Sequence, residues 1–194
     1  MTATDLVVPR AEGLQVVSGN DVDTKGDVEL TRIAECGVLN GSVKIKGDGE
    51  LTGSPTEVAI VRLCRKALGE ATAVELKSSS PQVFEIPFNS TNKWMLIVTG
   101  KVTASGVAYR AVLKGAPERV LGYCSLSTDG RDEIAKVQED LMSQGKRVPF
   151  VLNSCRGRFF PRTAGLSAGR TLDDRPAGRS LAAHVSSAAP KKKS

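Results

Sequence analysis

Val83-Phe-Glu-Ile-Pro-Phe-Asn-Ser-Thr-Asn-Lys-Trp94 and Lys114-Gly-Ala-Pro-Glu-Arg-Val-Leu121 are the stretches on which the reading of this 194-residue chain turns. Residues 83–86 are apolar and aromatic enough for a strand, and Pro87 stops it by removing a ladder donor. Residues 94–99 read as the next strand and 100–106 as a loop. Residues 108–113 alternate well enough to pair back on 94–99. Lys114 and Gly115 end that strand, and Pro117 opens a helix running to about residue 123.

Working outward, residues 27–39 carry apolar side chains near helical spacing. Residues 41–53 read as a loop with a short strand at 43–45. Ser54, Pro55 and Glu57 then predict a helix start: an N-cap, a proline at the first helical position, and a glutamate placed to close a capping box. Ile60, Leu63, Cys64, Ala67 and Leu68 form its apolar face, and Gly69 ends it. Residues 78–81 are a linker. Residues 131–144 form an amphipathic helix stopped by Gly145, and 147–151 begin another strand. The expected fold class is α+β, an antiparallel β-sheet flanked by helices. The expected organisation is an irregular segment over 1–26, a folded domain over 27–151, and a basic, low-complexity, disordered tail over 152–194.

Charge sharpens that division. Residues 1–148 hold 18 basic and 19 acidic side chains; residues 149–194 hold 9 and 2. The net charge of +6 therefore belongs to the tail. Basic charge confined to a tail with one Phe159-Phe160 pair is a poor signature of sequence-specific nucleic-acid binding. The alternative reading is a binding protein whose tail contacts nucleic acid or an acidic membrane surface. Cys36, Cys64, Cys124 and Cys155 are widely spaced and read as reduced thiols rather than a disulfide framework or zinc site. His184 is the single histidine and lies in the tail, so the body has no means of building a Ser-His-Asp, Cys-His or His-ligated metal site. No apolar run approaches the roughly 20 residues that span a bilayer.

What the two opening blocks offer is an aromatic ring, Phe88, followed by Lys93, and a second lysine, Lys114, beside Gly115. A flat ring with convergent ammonium groups suits a nucleoside triphosphate: a stacking surface for the base and positive charge for the phosphates.

Ile86-Pro-Phe-Asn-Ser-Thr-Asn-Lys93 and Lys114-Gly-Ala-Pro-Glu-Arg119 closely resemble the nucleotide-binding (N) domain of P-type cation-transporting ATPases, in the sodium/potassium and calcium pump branch. Gly53-Ser-Pro-Thr-Glu57 and Gly145-Lys-Arg147 fall in the right order around them. The resemblance spans roughly residues 29–148. It implies that Phe88 stacks on adenine, that Lys93 and Lys114 line the pocket, that Gly115 lets backbone approach the base, and that Arg147 lies near the ribose and phosphates. For Glu57 two readings stand side by side: contact with the adenine amino group, or the capping box with Ser54. Glu118 and Arg119 are expected to hold the local turn. The pattern departs at Ser54, where many relatives carry Asp, and at Met95, where the sodium/potassium branch has Gln.

The resemblance implies ATP as ligand, with magnesium arriving only as the Mg-ATP complex. The remaining domains of a pump would be partners if the chain belongs to a longer protein, and the location would be cytoplasmic. The phosphorylated Asp-Lys-Thr-Gly-Thr motif, the actuator Thr-Gly-Glu loop and the membrane helices are absent from this sequence; Asp23-Thr-Lys-Gly26 has a different order. No Walker A sequence replaces them. The chain alone is therefore expected to bind nucleotide without hydrolysing it. The match stops after Arg147-Val148, the pattern expected of a truncated or frame-shifted domain.

Overall fold

The computed structural model describes residues 2–45, 50–104, 106–124, 126–155 and 181–188. In chain order the elements are β1 (Thr2–Arg10), β2 (Gly13–Ser18), α1 (Val28–Leu39), β3 (Lys44–Ile45), β4 (Leu51–Thr52), α2 (Pro55–Leu68), α3 (Glu70–Ser79), β5 (Gln82–Ile86), β6 (Trp94–Thr103), β7 (Gly106–Gly115), α4 (Pro117–Val120) with a 3-10 turn at Leu121–Tyr123, α5 (Thr128–Ser143), β8 (Lys146–Arg147), β9 (Phe150–Cys155) and β10 (Leu181–Ala188). The main sheet runs β2-β1-β10-β9-β7-β6-β5, with β8 also paired to β10. Every pairing in it is antiparallel. The α+β class, an antiparallel sheet flanked by helices, is thus what the chain adopts.

Neighbours on a strand point to opposite faces, and the core divides accordingly. Val112 packs with Leu6, Val8, Ile33, Ala34, Ile60 and Leu63, on the face covered by α1 and α2. Leu113, one residue on, packs with Val120, Ile134, Trp94 and Leu96, on the face covered by α4 and α5. Each fully buried Val, Leu or Ile contributes about 1.5–3 kcal/mol. Asp27 joins β1 to α1. Its carboxylate caps the helix by accepting the Leu30 N–H at 3.0 Å and takes Arg10 Nη1 at 2.8 Å. The Arg10 guanidinium holds that carboxyl below the usual range.

The N-terminal segment differs from the irregular chain expected over 1–26. Thr2–Arg10 and Gly13–Ser18 form a hairpin, and Leu6, Val7 and Val8 are fully buried. A strand covered on both faces needs no alternation, so its short apolar run lacks the period that marks a half-buried strand. Pro9 fits because β10 pairs with β1 only as far as Val7, which leaves Pro9 bonded on the β2 side alone. A further helix, α3, follows α2; Gly69, at φ +82°, makes the turn between them.

The tail expected over 152–194 falls largely on 156–180 and 189–194, which lie outside the described residues. Within it, β9 continues through Cys155, and Leu181–Ala188 lies between β1 and β9 in the sheet. Among the described residues, no helix is long and apolar enough to cross a membrane.

Candidate functional site

The β6–β7 register decides where the expected site residues fall. Trp94 lies opposite Gly115 and Met95 opposite Lys114, so the β5–β6 connection carrying Phe88 and Lys93 emerges beside the end of β7. Phe150 pairs with Gly115 and with His184, and Arg147 pairs with Ser187 further along β10. Phe88, Lys93, Lys114, Gly115 and Arg147 therefore share one end of the sheet. β10 runs two strand spacings from β7, about 10 Å.

Lys114 points into the α1–α2 face and is buried. Its Nζ lies 2.6 Å from Glu57 Oε1, on the first turn of α2, and donates to the Asn40 carbonyl at 2.5 Å. Glu57 Oε2 accepts the Ser42 N–H at 3.3 Å. Burial pulls the Lys114 ammonium below the ordinary lysine value, and Glu57 opposes that pull. Of the two readings of Glu57, the capping box is not formed, because the Ser54 side chain makes no cap bond. A carboxylate facing a buried ammonium gains more than one facing a helix-end amide.

Gly115 is required by the space around it. A Cβ there would sit 2.4 Å from the Lys93 carbonyl oxygen and 2.6 Å from Trp94 Cα. These obstacles are backbone and have no rotamer by which to yield. Gly115→Ala is accordingly expected to cost about 1–2 kcal/mol in urea denaturation. A loss within error would mean that the two strands separate freely at this end.

Lys93 is the one non-glycine among the described residues with a positive φ, +59°. Its N–H donates to the Asn89 carbonyl at 2.8 Å, and its own carbonyl accepts the Ala116 N–H at 2.9 Å. These two bonds hold the left-handed backbone in place. Its Nζ lies 3.4 Å from Glu118 Oε1. Phe88 is 60% exposed. An aromatic ring left in water is a surface with apolar area to lose to a partner.

The structure thus brings Glu57 to Lys114, and Lys93 to Gly115, and places Phe88 and the backbone of Arg147 at the same end of the sheet. Two clefts lie elsewhere. One of about 480 Å³ is bounded by Arg62, Arg65, Lys66 and Glu70, and another of about 290 Å³ by Val38, Val61, Ala73 and Lys77. None of the six expected site residues lines either. In the larger one two of the cations already have partners: Arg65 pairs with Glu70, and Lys66 donates to the Gly19 and Asn20 carbonyls.

Sequence reasoning missed Asn40. It is fully buried, bonds Val112 O through Nδ2 at 2.6 Å, and supplies the carbonyl under Lys114. Its one signal was its position as the residue just past a helix, with Gly41 following. Lys77 was missed too; its Nζ donates to Gly41 O at 3.3 Å, so lysines grip two successive carbonyls of this turn.

The family described as P-type ATPase, cytoplasmic domain N, matches residues 29–149. Among similar curated proteins, a sodium/potassium-transporting ATPase subunit alpha of Hydra vulgaris is 35% identical over 109 residues, 51% of this chain and 10% of that protein. A sodium/potassium-transporting ATPase subunit alpha-1 of Oreochromis mossambicus is 29% identical over 163 residues, 74% of this chain and 16% of that one. A plasma membrane-type calcium-transporting ATPase 1 of Oryza sativa subsp. japonica is 33% identical over 147 residues, 74% and 13%. The chain thus spans between 10% and 16% of the length of these relatives. With a matched segment that includes the Phe88 and Lys114 blocks and strands β5 to β8, the chain belongs to the P-type ATPase cytoplasmic N domain family.

Proposed function

We propose that this chain binds adenosine nucleotides, ATP foremost, at the end of the sheet formed by Phe88, Lys93, Lys114, Gly115, Glu57 and Arg147. The observation that carries the reading is the exposed Phe88 ring on the connection that emerges at the end of the sheet holding Lys93 and the Glu57–Lys114 pair, in a chain of this family. Phe88 supplies the stacking face for adenine. Glu57 is the acceptor for the exocyclic amine, and the main chain at Gly115, held against Lys93 and Trp94, borders the base. Lys93 and Arg147 meet the ribose and phosphates. Magnesium enters with ATP and takes no ligand from these residues. The γ-phosphate is presented to an aspartate outside this chain, and the other domains of a longer, cytosol-facing pump are the partners that complete phosphoryl transfer.

One stacked ring and a few hydrogen bonds, set against the cost of association, give affinity on the order of mM. The test is an isotope-labelled titration with Mg-ATP, adenosine and inorganic triphosphate, read at Phe88, Lys93 and Lys114. Saturable shifts at all three with ATP, and at Phe88 with adenosine alone, are expected. No shifts at mM nucleotide would remove the reading.

A further inference from the structure

We propose that Glu118 is a built-in counter-ion to Lys93, one that a nucleotide's phosphate chain must displace, and that it sets how strongly the site favours charged nucleotides over adenosine. The inference rests on the nucleotide-binding reading above. Lys93 Nζ lies 3.4 Å from Glu118 Oε1, and both side chains are more than half exposed. The backbone of Lys93 is pinned to Asn89 on one side and Ala116 on the other, so its side chain springs from a fixed point. Glu118 follows Pro117 in the first turn of α4, and Val120, two residues on, is fully buried and anchors that turn. The two charges are thus presented to each other by rigid elements, yet both remain in water.

That combination separates a competing charge from a structural staple. The junction of the β5–β6 connection with β7 is already held by the Ala116 N–H to Lys93 carbonyl bond and by the close fit at Gly115. An exposed ion pair adds little to such a junction. By contrast, phosphates arriving at Lys93 find a carboxylate in their place. They must share the ammonium with it, and the carboxylate repels them at short range. Removing one negative charge a few ångströms from a polyanion in water-like surroundings changes affinity by roughly two- to fivefold, and added salt weakens the effect. Adenosine has no phosphates and feels none of this.

The experiment compares the full chain with Glu118→Gln, Lys93→Met and the double variant, by titration with ATP, ADP and adenosine at low and high salt. In Glu118→Gln, ATP binding should tighten about two- to fivefold at low salt, ADP less, and adenosine not at all. The gain should shrink at high salt and vanish in the Lys93→Met background, because no cation is left to release. An unchanged or weakened ATP affinity in Glu118→Gln, with the wild type binding normally, overturns the counter-ion role and leaves nucleotide binding standing. A gain that survives Lys93→Met also overturns it, since the carboxylate would then act without its partner. Failure of the wild-type chain to bind any adenosine nucleotide overturns both.

Discussion

Lys114→Met is expected to lower the free energy of unfolding by about 3–5 kcal/mol, the usual result when one member of a buried ion pair is removed. The Glu57 side chain is 17% exposed and that of Lys114 6%, so neither charge has bulk water as a substitute partner. Methionine fills the volume of the lysine stem but leaves the carboxylate with the Ser42 N–H alone and the Asn40 carbonyl without its donor. Replacing both charges, Lys114→Met with Glu57→Leu, is expected to recover most of the loss, because the desolvation of two ions disappears with their attraction. Urea denaturation of the three variants near neutral pH measures it. A loss under about 1 kcal/mol for Lys114→Met would mean that the pair behaves as a surface contact.

The same pair gives the chain a pH signature. Burial depresses the folded-state value of Lys114 below the ordinary 10.5, with Glu57 acting against it. Between the depressed value and 10.5 the unfolded chain binds more protons than the folded one, so this lysine makes stability rise with pH across that window. In Glu57→Gln the opposing carboxylate is gone, the folded value drops further, and the rise should start at lower pH than in the wild type. Denaturation curves from about pH 8 to about pH 10.5, taken as the difference between wild type and variant, isolate the effect from other lysines. Identical slopes would mean that Glu57 does not set the charge state of Lys114.

How much of this was legible follows from where each signal lives. The β6–β7 hairpin was readable because two apolar stretches, one beginning at Trp94 and one ending at Leu113, are bounded by turn residues and separated by a glycine-containing loop, and α2 because Pro55 marks its start and Gly69 its end. β1 was not, because its apolar run is short, and a strand covered on both faces loses the alternation that would distinguish it. Strand β10 was hidden further. Leu181-Ala-Ala-His-Val-Ser-Ser-Ala188 is a weak run of small residues, and its register with β1 and β9 is a long-range fact that local composition does not carry. In the site, residue types announced Phe88, Lys93 and Lys114, but only packing showed that Glu57 turns to Lys114 instead of back to its own helix end. Asn40 stayed invisible because its main-chain carbonyl, a group every residue has, makes the contact with Lys114.

Phe88→Ala is expected to separate function from fold. The ring is 60% exposed and lies on the connection between β5 and β6, so truncating it should change stability by no more than about 0.5 kcal/mol. Adenosine-nucleotide binding should weaken by roughly 1–3 kcal/mol, or about 5- to 150-fold, through loss of the stacked face. Phe88→Leu tells stacking from plain apolar burial: it keeps much of the area but has no π-face, so it should fall closer to alanine than to phenylalanine, while Phe88→Trp should hold or gain affinity. Inorganic triphosphate supplies the internal control, since it has no base to stack, and its weak binding should be the same in all four proteins. Were Phe88→Ala to lower the melting temperature by several degrees while leaving ATP affinity intact, the ring would be part of the packing. Charged side chains would then have to account for binding without a base platform, and affinity for ATP and inorganic triphosphate would converge.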